Sequence, residues 1–569
     1  MTKATNMEVP FTKRPSVKAC HVCGGVRVYY LFSTSDFRMV RCDDCGLVFL
    51  NPQPSGEELA RIYDANYFLD SGDEAGRRAL SEIKLGTADL YLSEIRRYQG
   101  PETGRLLEVG CGKGDFLVLA ETAGWRVTGV EYASAACEIA RGRLKNSQVF
   151  CGELEAASLP GEQFDLCVIS DVLGHVRSPL EFLREIHRVL KPGGTLFVST
   201  PSIDSWSARF MRQNWIEFKL EHLTYFDRQT LQTALFKAGF REVIVQPGWK
   251  ILNFDYILRH FKRFPVPLIT PLLKFFGLLL PRRWHFRKQR MVASGIMAFS
   301  RKAAVRPQPV LSVIVPAYNE VNTFSALMEL LLHKELPGVQ MEIIVVESNS
   351  TDGTREAVRK YQDAPGVKLI FEDRPQGKGH AVRTGLQAAT GDYVMIQDAD
   401  LEYDLEDYDV LMEQLLAGRS AFVLGSRHGG RNVLKMRQFT GQYFLSLFFN
   451  LGHWTFTTLL NLLYWQRLRD PFTMFKVFRR DCLAGLVLEC NRFDFDHELV
   501  VKLILKGYHP IELPVNYRSR SFREGKKVRM FLDPLTWLKT LLRLRFVKID
   551  PMGVAERARS DAKPTAGKT

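Results

Sequence analysis

The sequence predicts an α/β protein made of two doubly wound domains, preceded by a small cysteine-bearing module. Three observations predict it. First, 569 residues exceed what one hydrophobic core supports. Second, short apolar runs alternate with helical patterns twice over. The first half contains LLEVG, VTGVE, LCVIS and TLFVST, and the second LSVIVPAYNE, EIIVVES, KLIFED, YVMIQDAD and AFVLGSR. Such alternation signals a parallel sheet with helices on both faces. Third, RKAAVRPQP (301–309) between the halves is basic and proline-bearing, as a linker is. The expected boundaries are a flexible tail at 1–16, the cysteine module at 17–68, a first domain at 69–303, the linker at 304–309, a second domain at 310–548 and a second tail at 549–569.

The cysteine module rests on Cys20-x-x-Cys23 and Cys42-x-x-Cys45, each pair followed by a glycine (Gly24, Gly46) that permits a tight turn. Four thiolates so arranged close a tetrahedral site, which predicts structural rather than catalytic Zn2+. The other cysteines (Cys111, Cys137, Cys151, Cys167, Cys482, Cys490) are scattered through apolar stretches and read as buried free thiols. The N-terminus lacks an apolar secretory core. Together these features predict a reducing, cytoplasmic setting.

In the first domain, LLEVGCGKGDF (106–116) places Glu108 at the end of a strand. A turn containing Gly110, Cys111, Gly112 and Gly114 follows, and a helix begins near Asp115. Glycines there let the backbone approach a ligand at the carboxyl end of the first strand. VTGVE then ends in Glu131, an acid placed to accept from ribose hydroxyls. CGELEAASLPGEQFDLCVISDVLGHV (151–176) and REIHRVLKPGGTLFVSTP (184–201) complete a series that resembles the class I S-adenosylmethionine-dependent methyltransferases, which have a Rossmann-like fold. By that resemblance Gly110, Cys111, Gly112 and Gly114 line the methionine part of the cofactor, with Glu108 behind them. Glu131 takes the ribose, Glu153 and Leu154 flank the adenine, and Asp171 sits beside the transferable methyl. Methyl transfer needs an aligned nucleophile and sometimes a base. His175 and His222 are the candidates, each equally readable as a packed or capping histidine. The cysteine module, GLVFLNPQPSGEEL and YDANYF are similar to the N-termini of bacterial methyltransferases of sugar and surface-polysaccharide pathways.

The second domain opens on LSVIVPAYNE (311–320), followed by VVESNSTDGT (345–354) and RPQGKGHAVRTGLQAATGDYVMIQDADLEYD (374–404). Asp398-Ala-Asp400 sets two carboxylates one residue apart at a strand end, where they can hold Mg2+ or Mn2+ against a nucleotide diphosphate. This series resembles the family 2 glycosyltransferases of GT-A fold, and the polyprenyl-phosphate or dolichol-phosphate hexose transferases in particular. The resemblance implies an inverting enzyme with a nucleotide-sugar donor and a lipid-phosphate or glycan acceptor. It places Pro316, Tyr318 and Glu320 near the nucleoside, with Glu347 facing the base, and Lys378 and Arg427 toward phosphate charge. Where such proteins commonly carry Asp-Asp-Gly-Ser, this chain has Glu347-Ser348-Asn349-Ser350. In FDFDHELVVK, Asp496 or Glu498 is either a base or structural. The basic run 517–529, with Arg518, Arg520, Arg523, Lys526, Lys527 and Arg529, resembles a loop that meets donor and acceptor phosphates; a solvated loop is the plainer reading.

The formal net charge of +14 suits nucleic acid, an anionic membrane surface or phosphorylated substrates. The basic residues cluster beside phosphate-handling motifs, and no aromatic-basic nucleic-acid motif accompanies them. No nucleic acid partner is expected, although zinc plus basic charge as a nucleic-acid-binding device is the competing non-enzyme reading. Positions 438–466 contain no Asp, Glu, Lys or Arg, and 265–288 is apolar, then basic and aromatic. Both predict helices lying at an anionic membrane interface, which would make the protein peripheral at the inner face of a membrane, although 438–466 is also long enough to span a bilayer. A core helix is the alternative for 265–288. The functional expectation is a bifunctional methyltransferase and glycosyltransferase of surface polysaccharide or glycolipid biosynthesis. A methyltransferase serving an unrelated small molecule, fused for co-regulation alone, is the other enzymatic reading.

Overall fold

The apolar runs named above all become strands, because each is short, rich in β-branched residues and stopped by a turn residue. The computed structural model describes residues 14–34, 36–63, 74–145, 147–263, 265–266, 269–303, 306–427, 443–520, 532–547, 549–550 and 552. Arg523 and Lys526 lie outside the described residues, as do nearly all of both expected tails. The chain divides into two compact units between positions 304 and 305.

In the first unit, β1 (Val28–Ser33), β2 (Arg38–Cys42) and β3 (Val48–Leu50) form an antiparallel meander carrying the cysteine pairs. Seven further strands form the main sheet: β4 (Arg105–Val109), β5 (Arg126–Glu131), β6 (Gln148–Cys151), β7 (Phe164–Ser170), β8 (Leu190–Pro201), β10 (Phe240–Leu252) and β11 (Gln289–Lys302). Their order is β10-β11-β8-β7-β4-β5-β6, parallel from β8 to β6 and antiparallel at β10 and β11. The remaining strand, β9 (Thr224–Tyr225), does not join this sheet; it pairs with β3 and completes the cysteine module. The module is therefore built from two distant pieces of chain. Strand order reverses between β4 and β7, and ligands of such sheets bind beyond the strand ends at that point. The core joins Leu107, Val109, Ile169 and Leu173 to Phe49 and Leu47 of the module.

One cysteine expectation is corrected. Cys137, in the helix Ser134–Arg143, and Cys151, at the end of β6, are joined as a disulfide with Cα atoms 6.0 Å apart. The helix packs on β6, so two residues that look like isolated thiols in the sequence face each other. Cys111, Cys167, Cys482 and Cys490 are free and buried, as expected.

The second unit holds a seven-stranded mixed sheet: β12 (Val310–Ala317), β13 (Gln340–Glu347), β14 (Val367–Phe371), β15 (Tyr393–Ile396), β16 (Phe422–Ser426), β17 (Lys476–Arg479) and β18 (Ile511–Pro514). The order is β14-β13-β12-β15-β17-β16-β18. The strands β14 to β15 are parallel, β17 is antiparallel to both neighbours, and the reversal of order lies between β12 and β15. Helices Lys378–Ala388 and Phe495–Leu505 cover the sheet, and their apolar residues share a core with Ile314, Ile344 and Phe422. The charge-free run ends in one helix, Tyr443–Tyr464. Among the described residues no helix is long and apolar enough to cross a membrane.

Candidate active sites

The four module sulfurs converge. Cys20 and Cys45 Sγ are 3.5 Å apart, as are Cys23 and Cys42, and all four lie within 4.8 Å of one another. A tetrahedron with zinc–sulfur bonds of about 2.3 Å has edges near 3.8 Å, so the donor set fits one zinc ion. His21, inside the first knuckle, is not needed.

In the first unit, β4 delivers Glu108 and the glycine turn to the switch point. Gly110 has φ +75°, and a Cβ there would lie 2.2 Å from Val172 Cγ2, so only glycine fits. Glu131, at the end of β5, accepts from Gly112 N–H (2.8 Å) and Ala133 N–H (2.9 Å). A carboxylate has further lone pairs, so Glu131 both shapes the glycine turn and keeps acceptor capacity for hydroxyls. Glu108 is buried, with no hydrogen-bond partner for Oε2 among the described residues. Burial first, then the charges of Asp115 and Glu131, raise its pKa well above the ordinary value. An orphaned buried acceptor beside a glycine cradle fits a cationic, amino-bearing ligand such as S-adenosylmethionine. Glu153 is exposed, whereas Leu154 is buried in the core, so of this expected adenine pair Leu154 offers no open side chain.

Asp171 holds φ +56° and pairs with Lys250 Nζ at 2.7 Å. Burial alone would lower the Lys250 pKa, but the adjacent Asp171 charge holds it raised. Lys250 comes from β10, far along the chain, and no motif announces it. His175 and His222 meet edge to face, ring centroids 4.5 Å apart. Tyr63 Oη lies 2.6 Å from His175 Nδ1. His222 Nδ1 stands 2.8 Å from the Glu217 carbonyl. A carbonyl only accepts, so Nδ1 carries the proton and Nε2 holds the lone pair. Burial, then the other histidine, brings His175 down to about 4. Burial, then Lys219, brings His222 down to about 4. Both rings are neutral near pH 7, and His222 has the geometry of a proton acceptor.

In the second unit a cavity of about 790 Å³ opens at the strand ends. Asp398, Asp400, Lys378 and Glu320 line it, together with Pro316 and Tyr318. Asp398 pairs with Lys378. Asp400 accepts from Arg520 Nη2 at 2.6 Å, and the same guanidinium reaches Glu320 at 2.9 Å. Glu402 orients this arginine, accepting its backbone N–H at 2.7 Å. Arg520 is thus the described residue of its run that reaches the acidic pair, which Lys378 meets from the helix Lys378–Ala388. Burial, then the charges of Asp398 and Glu402, push Asp400 up to about 7. Among the described residues named here, four carboxylates (Asp398, Asp400, Glu320, Glu402) face two cations (Lys378, Arg520), and that excess suits a divalent cation shared with a diphosphate.

The structure corrects or refines the expectations for five residues. Glu498 is not in the cavity wall: it is fully buried and accepts from Glu489 N–H (2.9 Å), Cys490 N–H (2.8 Å) and Lys502 Nζ (2.6 Å), which makes it an anchor for the preceding loop. Asp496 does line the cavity, paired with Lys476 at 2.9 Å. Arg427 lines it too, yet its guanidinium is held by Asp470 through two bonds of 2.9 and 2.7 Å, so it is committed before any phosphate arrives. Arg518 faces a different depression, beside Lys334 and Asp404. Glu347 is fully buried and accepts from Ser350 N–H at 2.6 Å, with Arg355 3.5 Å away. The ESNS loop is tied to the first strand's loop, since Asn319 N–H donates to Ser350 Oγ (2.9 Å) and Thr351 N–H to Asn319 Oδ1 (2.9 Å). Part of the cavity lining is apolar and aromatic. His497 stacks between Phe472 (4.0 Å) and Trp537 (5.3 Å), and the helix Tyr443–Tyr464 adds Phe448 and Phe456.

Residues 86–245 match the methyltransferase domain family, and residues 312–485 match glycosyl transferase family 2. The second unit is similar to the dolichol-phosphate mannosyltransferase of Pyrococcus furiosus, 26% identical over 218 residues, covering 38% of this chain and 58% of the relative. It is also similar to the dolichyl-phosphate beta-glucosyltransferase of Trichomonas vaginalis, 27% identical over 219 residues, covering 36% and 63%. The chain thus spans under two thirds of the length of either relative. Among solved structures, a SAM-dependent methyltransferase of Thermotoga maritima matches with 23% identity and a TM-score of 0.29, covering 43% of this chain and 99% of that one. The chain thus carries a match to the methyltransferase domain family followed by a match to glycosyl transferase family 2.

Proposed function

We propose that the chain is a bifunctional enzyme of glycan or glycolipid assembly. Its second unit moves a hexose from a nucleotide sugar to a polyprenyl phosphate, and its first methylates a sugar or related intermediate. The carrying observation is the second unit's cavity. Its lining brings together Asp398, Asp400, Lys378 and Arg520, groups that handle diphosphate. The same cavity is also lined by Phe448, Phe456, Phe472 and Trp537, which suit an apolar chain. The names of the relatives support the same acceptor class.

On this reading Asp398 and Asp400 hold a divalent cation, which when bound neutralises charge on the departing diphosphate. Lys378 and Arg520 meet the phosphates of donor and acceptor. The acceptor phosphate oxygen bonds to the anomeric carbon from the face opposite the leaving group, and the carbon–oxygen bond to the nucleoside diphosphate breaks. An anionic acceptor has no proton to lose, so Asp496 stays with Lys476. In the first unit, S-adenosylmethionine supplies an electrophilic methyl when bound. The Gly110–Gly114 turn and Glu131 orient it, His222 Nε2 takes the acceptor's proton, and Tyr63 with His175 holds the ring in place. Cys20, Cys23, Cys42 and Cys45 would hold a structural zinc ion, fixing the module whose strand pairing positions the loop before β9.

The test incubates the full chain with candidate nucleotide sugars, polyprenyl phosphate, Mg2+ or Mn2+, and labelled S-adenosylmethionine, with mass spectrometry of the products. Asp398→Ala should abolish glycosyl-lipid formation while leaving S-adenosylhomocysteine binding intact. Gly112→Asp should abolish methyl transfer and spare sugar transfer. A panel in which no nucleotide sugar yields a glycosyl lipid would overturn the acceptor assignment.

A further inference from the structure

Strands β10 and β11 pair as a hairpin that closes at Leu252 and Gln289. Hairpin loops ordinarily have two to five residues. This one instead holds three helices, Phe254–Arg263, Ile269–Leu279 and Arg282–His285. It also lies beyond residue 245, where the methyltransferase family match ends.

The helices are fastened to one another. His285 Nε2 is 3.1 Å from the Gly277 carbonyl, and the His285 ring meets Phe254 edge to face at 5.2 Å. A Cβ at Gly277 would stand 3.2 Å from Phe254, so the glycine lets the first two helices close up. What they leave outside is apolar: Leu272, Phe275, Phe276, Leu278 and Leu279 are exposed, Leu278 by 86%, with Trp284 and Phe286 beyond them. Residues 256–300 contain nine Lys or Arg and no Asp or Glu. Lys262, Lys274, Arg283 and Arg287 are exposed, and Arg287 lies over the Trp284 ring.

We propose that this insertion is a membrane-docking element, which lays the apolar face of Ile269–Leu279 and Arg282–His285 into an anionic lipid surface. An exposed run of Leu and Phe rimmed by basic and aromatic residues is what an interfacial helix presents. Eleven residues are too few to span a bilayer. Lysine and arginine stems reach from that depth to headgroup phosphates. A second copy of the chain would bring an equally basic segment against this one, which disfavours self-association. The surface belongs to the first unit and goes beyond the acceptor reading of the second.

Flotation of the full chain with vesicles tests it, using equimolar phosphatidylglycerol and phosphatidylcholine against phosphatidylcholine alone. The native protein should float with the anionic vesicles, and less so as salt is raised. Phe275→Ser/Leu278→Ser/Leu279→Ser should lower the partition coefficient on the order of 10–100-fold, with S-adenosylhomocysteine binding unchanged as proof of folding. Arg283→Glu/Arg287→Glu should remove the preference for phosphatidylglycerol. Brominated lipid should quench the native protein more than Trp284→Phe. Native protein that stays at the bottom of the gradient refutes the proposal. So does a triple variant that floats like the native chain, which would move the surface elsewhere. A concentration-dependent dimer that the triple variant abolishes, without vesicle binding, would refute it in favour of self-association.

Discussion

Asp470→Asn separates two roles for Arg427. The pair is buried, with side-chain exposures of 5% and 0%. Asp470 accepts from the arginine backbone N–H, Nε and Nη2, all at 2.9 Å or less. The arginine charge holds the Asp470 pKa well below the ordinary carboxylate value, although burial alone would raise it. Asparagine keeps the shape and one acceptor but leaves a buried guanidinium without its counter-charge. Breaking such a pair costs about 3–5 kcal/mol, which for a unit of this size is a fall in Tm of roughly 6–20 °C. Differential scanning calorimetry reads it, using the transition that S-adenosylhomocysteine does not move. Arg427→Met/Asp470→Leu should recover much of the loss, because apolar groups of similar volume replace buried pairs at little cost. If Arg427 instead serves diphosphate directly, Asp470→Asn frees it. The Tm then shifts by less than about 2 °C and nucleoside diphosphate binds more tightly. That result would refute the argument.

Acid should loosen the first unit. Its two buried histidines fall from 6.5 to about 4, so between these values the unfolded chain binds protons that the folded chain refuses. Stability therefore drops as pH falls from 6.5 to 4, by about 3 kcal/mol for each histidine; a urea midpoint that stays flat over that window contradicts the burial argument. Gly110→Ala should abolish S-adenosylmethionine binding in equilibrium dialysis, and adding Val172→Ala should restore part of it by removing the methyl that the new Cβ strikes. Restoration to the full native affinity would mean that the left-handed backbone carries no cost. Chelation, or Cys42→Ser, should release close to one equivalent of zinc and lower the Tm of the first unit, measured by metal analysis and calorimetry. Far less than one equivalent in the native protein rejects the metal site.

The parts legible in the sequence are those written in consecutive residues. Each apolar run ends where a glycine or acid marks a strand tip, so Glu108, Glu131 and Asp398 could be placed before any fold was known. The parts that were not legible join distant residues. Lys250 meets Asp171 across two strands, and Tyr63 reaches His175 from the other side of the helix Glu74–Gln99 in sequence. Arg520 differs from Arg518 only by which way an irregular strand end turns. Glu498 resembles a base in sequence, because a helix N-terminus with two acids looks the same whether they face a cavity or cap a loop. Strand β9 is only two residues long, Thr224–Tyr225, which is too short for any pattern to announce it.

That short strand has a further consequence. The cysteine module borrows it from a stretch two residues past His222, so the module is no detachable cassette. A truncation that begins the protein after the module would strip the partner from Thr224 and Tyr225 and leave a bare edge beside the histidine pair. Grafting the module onto another methyltransferase would leave its fourth strand behind. Any engineered exchange has to carry both segments together, and natural recombination through this gene faces the same indivisible unit.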